Sequence, residues 1–240
     1  MERHALTFAV RPGTERAARQ VLAGYPRPDT EIDGGARLLG TSVFFWRHHV
    51  VRVMDVDGPL PLIMRHLSTQ PAIRETETAL NPLLAEPRDL GDQDAVRGFF
   101  ARAMMTRVIH RVTEPRLLPS SGDRIRIALR YPVAPGRAAE AAEVIKGARS
   151  LLGAETTTVL ASTTVFRHGD LLVRVADFVG TLDQAAEHLG RTVIGRPATS
   201  ALTPLLEPGW DLTTEDGFGR FFAEQRLALV THRQAETVTR

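Results

Sequence analysis

The amino-acid sequence predicts an α+β protein built from two tandem ferredoxin-like (β-α-β-β-α-β) repeats, packed sheet to sheet as an intramolecular dimeric α/β barrel. Three observations predict it: an internal repeat at an offset of 122 residues, a strand-helix-hairpin-helix-strand order of apolar positions in each copy, and a Pro/Ser/Gly-rich join between the copies. The repeat is plainest in one hairpin. Residues 45–58 run Phe45-Trp46-Arg47-His48-His49, then Arg52 in an apolar strand, then Asp55 and Gly58; residues 165–180 return Phe166-Arg167-His168, Arg174, Asp177 and Gly180. At the same offset His66 falls on His188, the Asn81-Pro82-Leu83-Leu84 segment on Thr203-Pro204-Leu205-Leu206, Phe99-Phe100 on Phe221-Phe222 and His110-Arg111 on His232-Arg233. Near the N-terminus the offset becomes 123, and Val10, Pro12 and Gly13 match Val133, Pro135 and Gly136. We therefore expect one fold, duplicated and fused: repeat 1 over residues 1–116, a linker over 117–123 and repeat 2 over 124–240.

Each element has a local reason. Leu6, Phe8 and Val10 alternate on one face and predict a strand. Pro12-Gly13 makes a turn, Thr14 is placed to cap a helix ending near Ala23, and Glu15 opposes its dipole. Tyr25-Pro26-Arg27-Pro28 stops that helix. Residues 37–46 and 49–56 form a hairpin about Arg47-His48, and Gly58-Pro59 opens a helix carrying Leu62, Ile63, His66 and Leu67. A second helical stretch covers 71–80, Asp92 or Asp94 starts a third that ends near Ala101, and 104–112 is the last strand. The second half repeats this order, with strands at 125–133, 156–166, 170–178 and 227–232 and helices at 135–151 and 183–189. A four-stranded sheet with helices on one face leaves the other face apolar, and two such faces together solve the problem. Each half then keeps a cavity between its sheet and its helices.

Composition narrows the chemistry. There is no Cys, so thiol nucleophiles, disulfides and Cys-type zinc or iron–sulfur sites are excluded. No apolar run reaches the roughly 18 residues of a membrane-spanning helix, which predicts a cytoplasmic protein with no membrane partner. The net charge is +2, and Lys146 is the single lysine among 30 basic residues. The arginines are interleaved with acids rather than clustered, which speaks against a nucleic-acid partner. No dinucleotide fingerprint, H-E-x-x-H or G-x-S-x-G occurs, and the His spacing follows the repeat rather than a ligand set, so neither a bound cofactor nor a metal is expected.

The phrases Val10-Arg11-Pro12-Gly13-Thr14-Glu15, Val51-Arg52-Val53-Met54-Asp55-Val56-Asp57-Gly58 and Phe99-Phe100-Ala101-Arg102-Ala103-Met104-Met105 resemble the SchA/CurD-like proteins of bacterial aromatic polyketide biosynthesis. The resemblance covers essentially the whole chain, and none of its motifs is a catalytic signature. Members of that family are associated with spore-pigment and angucyclinone- or fredericamycin-like clusters, and some are assigned as hydroxylases. The element order is also that of small antibiotic-biosynthesis monooxygenases, which oxidise electron-rich phenols without metal or flavin, and of some polyketide cyclases. Fold alone does not choose between oxidation and cyclisation.

The residues that could carry such chemistry are few. His66, with His188 as its copy, sits on an apolar helix as a core histidine or as an acid/base. His110 lies in a last strand with Met104, Thr106 and Val108 on its face. Arg52 interrupts an apolar strand, so it pairs with Asp55 or Asp177 across the repeats, or it stabilises a substrate oxyanion. Phe44, Trp46 and His49 could wall a flat aromatic pocket, and Trp210, in a loop after Pro208-Gly209, could close its mouth. Trp46 and His49 have no counterpart at the second turn, which favours the first half as the active one. The resemblance thus implies a cofactor-independent monooxygenase, with dioxygen as co-substrate, acting on a small-molecule aromatic polyketide. The other readings are a polyketide cyclase or a non-catalytic accessory protein, and homodimer formation stays open.

Overall fold

The computed structural model describes residues 1–25, 35–148 and 157–234. The first-half elements are β1 (Glu2–Ala9), α1 (Glu15–Ala23), β2 (Arg37–Trp46), β3 (His49–Asp57), α2 (Leu60–Thr69), α3 (Pro71–Leu80), α4 (Gln93–Ala103) and β4 (Thr106–Val112). The second half gives β5 (Arg124–Tyr131), α5 (Ala138–Gly147), β6 (Leu160–His168), β7 (Leu171–Val179), α6 (Leu182–Val193), α7 (Pro197–Leu202), α8 (Glu215–Glu224) and β8 (Ala228–Gln234). The repeated order and the α+β class are as the periodicity predicts. Among the described residues no helix is long and apolar enough to cross a membrane.

Local chemistry explains most boundaries. Asp92 caps α4 by accepting from the backbone N–H of Asp94 at 2.8 Å. Thr181 and Gln184 form a reciprocal capping box at α6. Gly180, at φ +126°, leaves the room that the Gln184 carboxamide fills, since a Cβ there would lie 2.2 Å from its Oε1. Thr14 does not cap α1 as expected; its hydroxyl donates back to the Arg11 carbonyl at 2.7 Å and fastens the turn instead. The helix expected over 135–151 is shorter, and Leu151 falls outside the described residues, as does the Pro26-Arg27-Pro28 stop.

Two four-stranded antiparallel sheets result, ordered β1-β3-β2-β8 and β4-β6-β7-β5. The compact units are Met1–Met105 with Ala228–Arg240, and Thr106–Leu227, so they cut across the two sequence repeats. The last strand of each repeat completes the other repeat's sheet. Met105 still donates to the Ala5 carbonyl at 2.9 Å, and Leu227 to that of Ala128 at 2.9 Å. One residue further on, each strand has left its own repeat for the outer edge of β6 or β2. Periodicity locates a strand but not its partner, because either hairpin edge offers the same row of unpaired backbone groups.

Each unit has its own core between sheet and helices. Leu6, Val43, Val50, Met54, Ile63, Leu80 and Phe99 build the first. Leu129, Val165, Leu172, Ala176, Leu202, Phe218 and Phe221 build the second. On the opposite sheet face each unit buries an ion pair from strand one to the third strand: Arg3 Nε to Asp55 Oδ1 and Arg126 Nε to Asp177 Oδ1, both at 2.6 Å.

The strand exchange is testable by ending the chain after Leu227. The first-unit sheet then loses its fourth strand, so amide exchange should accelerate over residues 37–46, while residues 160–168, still covered by β4, keep their protection. Faster exchange over 160–168 instead would mean that each repeat holds its own last strand.

Candidate ligand cavity in the second unit

The two units carry the same layer of side chains between sheet and helices and fill it differently. In the first unit Arg52, on β3 opposite Leu6, points to the helix side. Its Nη1 lies 3.9 Å from Glu77 Oε1 on α3, and its guanidinium stacks over the Tyr25 ring at 4.4 Å. Arg88 reaches the other Glu77 oxygen, and its guanidinium lies 4.0 Å from the Phe99 ring centroid. The space that remains among these groups is about 10 Å³, room for one water at most. Burial holds the Tyr25 hydroxyl above its ordinary value, with the Arg52 charge pulling it back and Glu77 adding to the rise.

In the second unit Arg174, opposite Leu129, repeats Arg52. Its surroundings do not repeat. Tyr25 comes two residues after α1 and its N–H bonds to the Leu22 carbonyl; Ala148 makes the same bond to Ile145 after α5. Offset by 122, Glu77 becomes Thr199 and Arg88 becomes Trp210. Two large side chains are thus replaced by an alanine and a threonine, and the same layer opens into a cavity of about 700 Å³. Its walls are mainly apolar, from Ile109, Leu129, Val144, Leu189, Leu202 and Phe221. That volume lies in the range of small-molecule sites.

Apart from Glu143, the polar groups that line this cavity among the described residues are cationic or neutral. Arg174 Nε donates to the Tyr131 hydroxyl at 2.7 Å, and its Nη1 lies 3.4 Å from Thr163 Oγ1. Arg111, from β4, donates to the Ala148 carbonyl at 2.7 Å. Burial, and then the charge of Arg174, hold the Arg111 guanidinium below its usual value, so the two cations sense each other. Arg196 lies on the same wall. Among the described residues, the one carboxylate at this cavity is Glu143, which is exposed and pairs with Lys146 at 3.6 Å. The arrangement can bind a flat apolar body bearing a negatively charged oxygen.

The residues singled out from sequence do not converge on this cavity. Arg52 lines the filled space of the first unit, with Glu77 as its acidic partner in place of Asp55 or Asp177, which Arg3 and Arg126 occupy. His110 stands cross-strand from Thr164, with 2.8 Å between Nδ1 and Oγ1, and His232 stands likewise from Ser42. Neighbours Ile109 and Arg111 line the cavity, so strand alternation turns His110 to the other sheet face. His66 is half-buried on α2 and lines neither space, and His188 is buried edge-on to Phe178.

Phe44, buried, faces away from the core that Val43 and Phe45 enter. Trp46 and His49 stack on each other across the hairpin turn at 6.2 Å, and Met104 packs on the first-unit core. Trp210 sits edge-on to Phe221 at 6.5 Å, behind the cavity wall. The turn also re-registers the repeat. Trp46 pairs with His49 and His168 with Leu171, so Phe166 corresponds to Phe44, and Arg47, at φ 53°, to Gly169, at φ 54°. Sequence reasoning missed Arg111, Tyr131, Arg174 as a cavity residue, and Thr199. Their signal was the loss of Glu77 and Tyr25 in the second copy.

Against known proteins, the model of the SchA/CurD-like domain matches residues 1–113 and 124–235. The chain belongs to the SchA/CurD-like family. It is 41% identical over 200 residues to a 42.8 kDa protein in the whiE locus of Streptomyces coelicolor, covering 83% of this chain and 49% of that one. It is 34% identical over 239 residues to polyketide synthase CurD of Streptomyces cyaneus, covering 97% of this chain and 64% of that one. The family member described here thus spans about half to two-thirds of the length of these curated relatives. An anthrone oxidase-like protein of known structure aligns over 98% of this chain and 93% of its own, at 10% identity and a TM-score of 0.43, too distant to bear weight.

Two outcomes follow for the filled unit. Glu77→Gln leaves Arg52 and Arg88, whose side chains are 9% and 5% exposed, without their shared anion; we expect a loss of about 3–5 kcal/mol in denaturant unfolding. The raised Tyr25 pKa means that the unfolded chain ionises first. Stability from this group is therefore full below about pH 10 and falls as pH rises from there toward the folded pKa. Thermal melts of Tyr25→Phe should show a flatter alkaline limb than those of the parent.

Proposed function

We propose that this chain acts in the biosynthesis of an aromatic polyketide, holding a polycyclic phenolic intermediate in the second-unit cavity and oxygenating it with dioxygen. One observation carries the reading: an apolar cavity of about 700 Å³ whose polar pole is the pair Arg111 and Arg174. Membership of a family whose relatives include polyketide proteins of Streptomyces supports the substrate class. In such a cavity the arginines stabilise a phenolate or enolate, so ionised substrate is drawn from solution and no protein base has to remove the proton. The carbanion character of that anion makes it a reductant for dioxygen. Conversion of an anthrone methylene to a carbonyl is a four-electron oxidation. One oxygen atom enters the ring and the other leaves as water with the two methylene hydrogens, so no external reductant, flavin or metal is needed. The protein's part is to hold the anion and to shield it from water.

The decisive measurement is a pair of incubations of chelator-treated protein with an anthrone, in air and without it, read by mass spectrometry against the protein-free rate. Oxygenation predicts one atom from heavy dioxygen in the quinone, formed in air alone, and a rate at least about tenfold lower for Arg174→Gln, as for loss of one oxyanion donor. Loss of water without oxygen uptake, on a linear polyketide analogue, would replace oxygenation by aldol cyclisation in the same cavity. Unchanged substrate in both vessels would leave a binding protein that serves another enzyme.

A further inference from the structure

The duplicated fold contains its own image of a bound ligand. Strand register superposes the two layers residue by residue: Leu6 faces Arg52 as Leu129 faces Arg174, and Val10 bridges to Leu84 as Val133 does to Leu206. In the first unit the anion beside the β3 arginine is the Glu77 carboxylate, 3.9 Å away and carried in on α3. In the second unit the corresponding α7 residue is Thr199, whose hydroxyl donates to the Val193 carbonyl at 2.5 Å and not to Arg174. The aromatic ring stacked on the first guanidinium, Tyr25, is likewise gone, with Ala148 in its place. What the second unit lacks is therefore a carboxylate-like oxygen beside the guanidinium and a ring in the Tyr25 position; the ring near Arg174 is that of Tyr131, with its centroid 5.8 Å away.

We propose that the second-unit cavity is an anion site for an aromatic acid, whose acidic oxygen docks on Arg174 where Glu77 docks on Arg52 and whose ring takes the place of the Tyr25 ring. This inference deepens the reading of the cavity as the substrate site and rests on it, but it does not rest on oxygenation. Three features support it. Arg174 is more exposed than its buried counterpart, so an entering ligand can reach it. Arg111 gives the site a second cation, and two guanidiniums that repel each other gain from one shared anion. Tyr131 and Thr163 fix the Arg174 fork, which orients its remaining donors before the ligand arrives. An aromatic carboxylate and a phenolate present the same acidic oxygen, and the probes separate them.

The experiment is calorimetric binding of anthracene-2-carboxylate and of its neutral carboxamide at pH 7, with 2-anthrol as the phenolic probe read by its phenolate absorbance. If the inference holds for a carboxylate, the acid binds roughly ten- to a hundredfold more tightly than the amide, as expected for one charge-assisted contact. If it holds for a phenolate, bound 2-anthrol ionises at lower pH than free 2-anthrol. Arg174→Gln should erase either effect while the amide still binds. Thr199→Glu should supply the missing carboxylate internally, raising the melting temperature and abolishing the preference for the acid. Thr199→Gln, of similar size and no charge, should leave the preference intact. Equal binding of acid and amide together with an unshifted 2-anthrol overturns the anion site and leaves an apolar aromatic pocket standing. Failure of all three probes to bind overturns the cavity reading as well.

Discussion

A guanidinium placed on the helix side of a sheet sits where water is scarce, and it needs an anion. Both units place one there, Arg52 and Arg174, and much of what differs between them follows from how that need is met. The first unit meets it internally. Glu77 serves Arg52 and Arg88 together, Tyr25 covers the Arg52 face, and the result is a filled layer with room for a single water. The second unit keeps the cation and omits the anion. Arg174 is half-buried with no carboxylate beside it among the described residues, and a partly desolvated cation without an internal anion speaks for a partner from outside.

The comparison between copies sorts structure from function. Features present in both belong to the fold: the ion pairs Arg3–Asp55 and Arg126–Asp177, and the cross-strand imidazole–hydroxyl pairs of His232 with Ser42 and His110 with Thr164. These tie strands of one sheet, and in the histidine pairs they tie strands of different repeats. The exchanged strands β4 and β8 make the repeats interdependent, since neither sheet is complete without a segment of the other repeat. Exchange also brings Arg111, numbered in the first repeat, into the second-unit cavity, so that site is assembled from both copies.

Much of the fold was legible in the residues. The helix over 71–80, the β2–β3 hairpin and a helix start at Asp92 or Asp94 were each predicted by local chemistry that tertiary structure did not override. Strand partnership was not legible, because alternation of apolar residues is a property of one strand while pairing belongs to two. The site was harder still. Histidines and tryptophans drew attention as reactive types, but His110 is turned away by the two-residue period of its strand, and Trp46 and His49 serve a turn. The informative positions were bland ones, Ala148 and Thr199, whose meaning lies in what the other copy has there. A cavity appears in sequence as a loss of volume, and only the duplicate shows what was lost.

The same contrast bears on why a duplicated chain would keep one filled and one open layer. An open layer with unneutralised cations subtracts from the stability of its own unit, and a ligand that neutralises them restores it by mass action. Two open layers would carry that deficit twice in one chain. Filling the first unit with Tyr25, Glu77 and Arg88 spares it that deficit, so the need for an anion from outside falls on the second alone. On this argument the first repeat is no degenerate remnant. It keeps the arginine and supplies the anion internally, while the second leaves that place to a ligand.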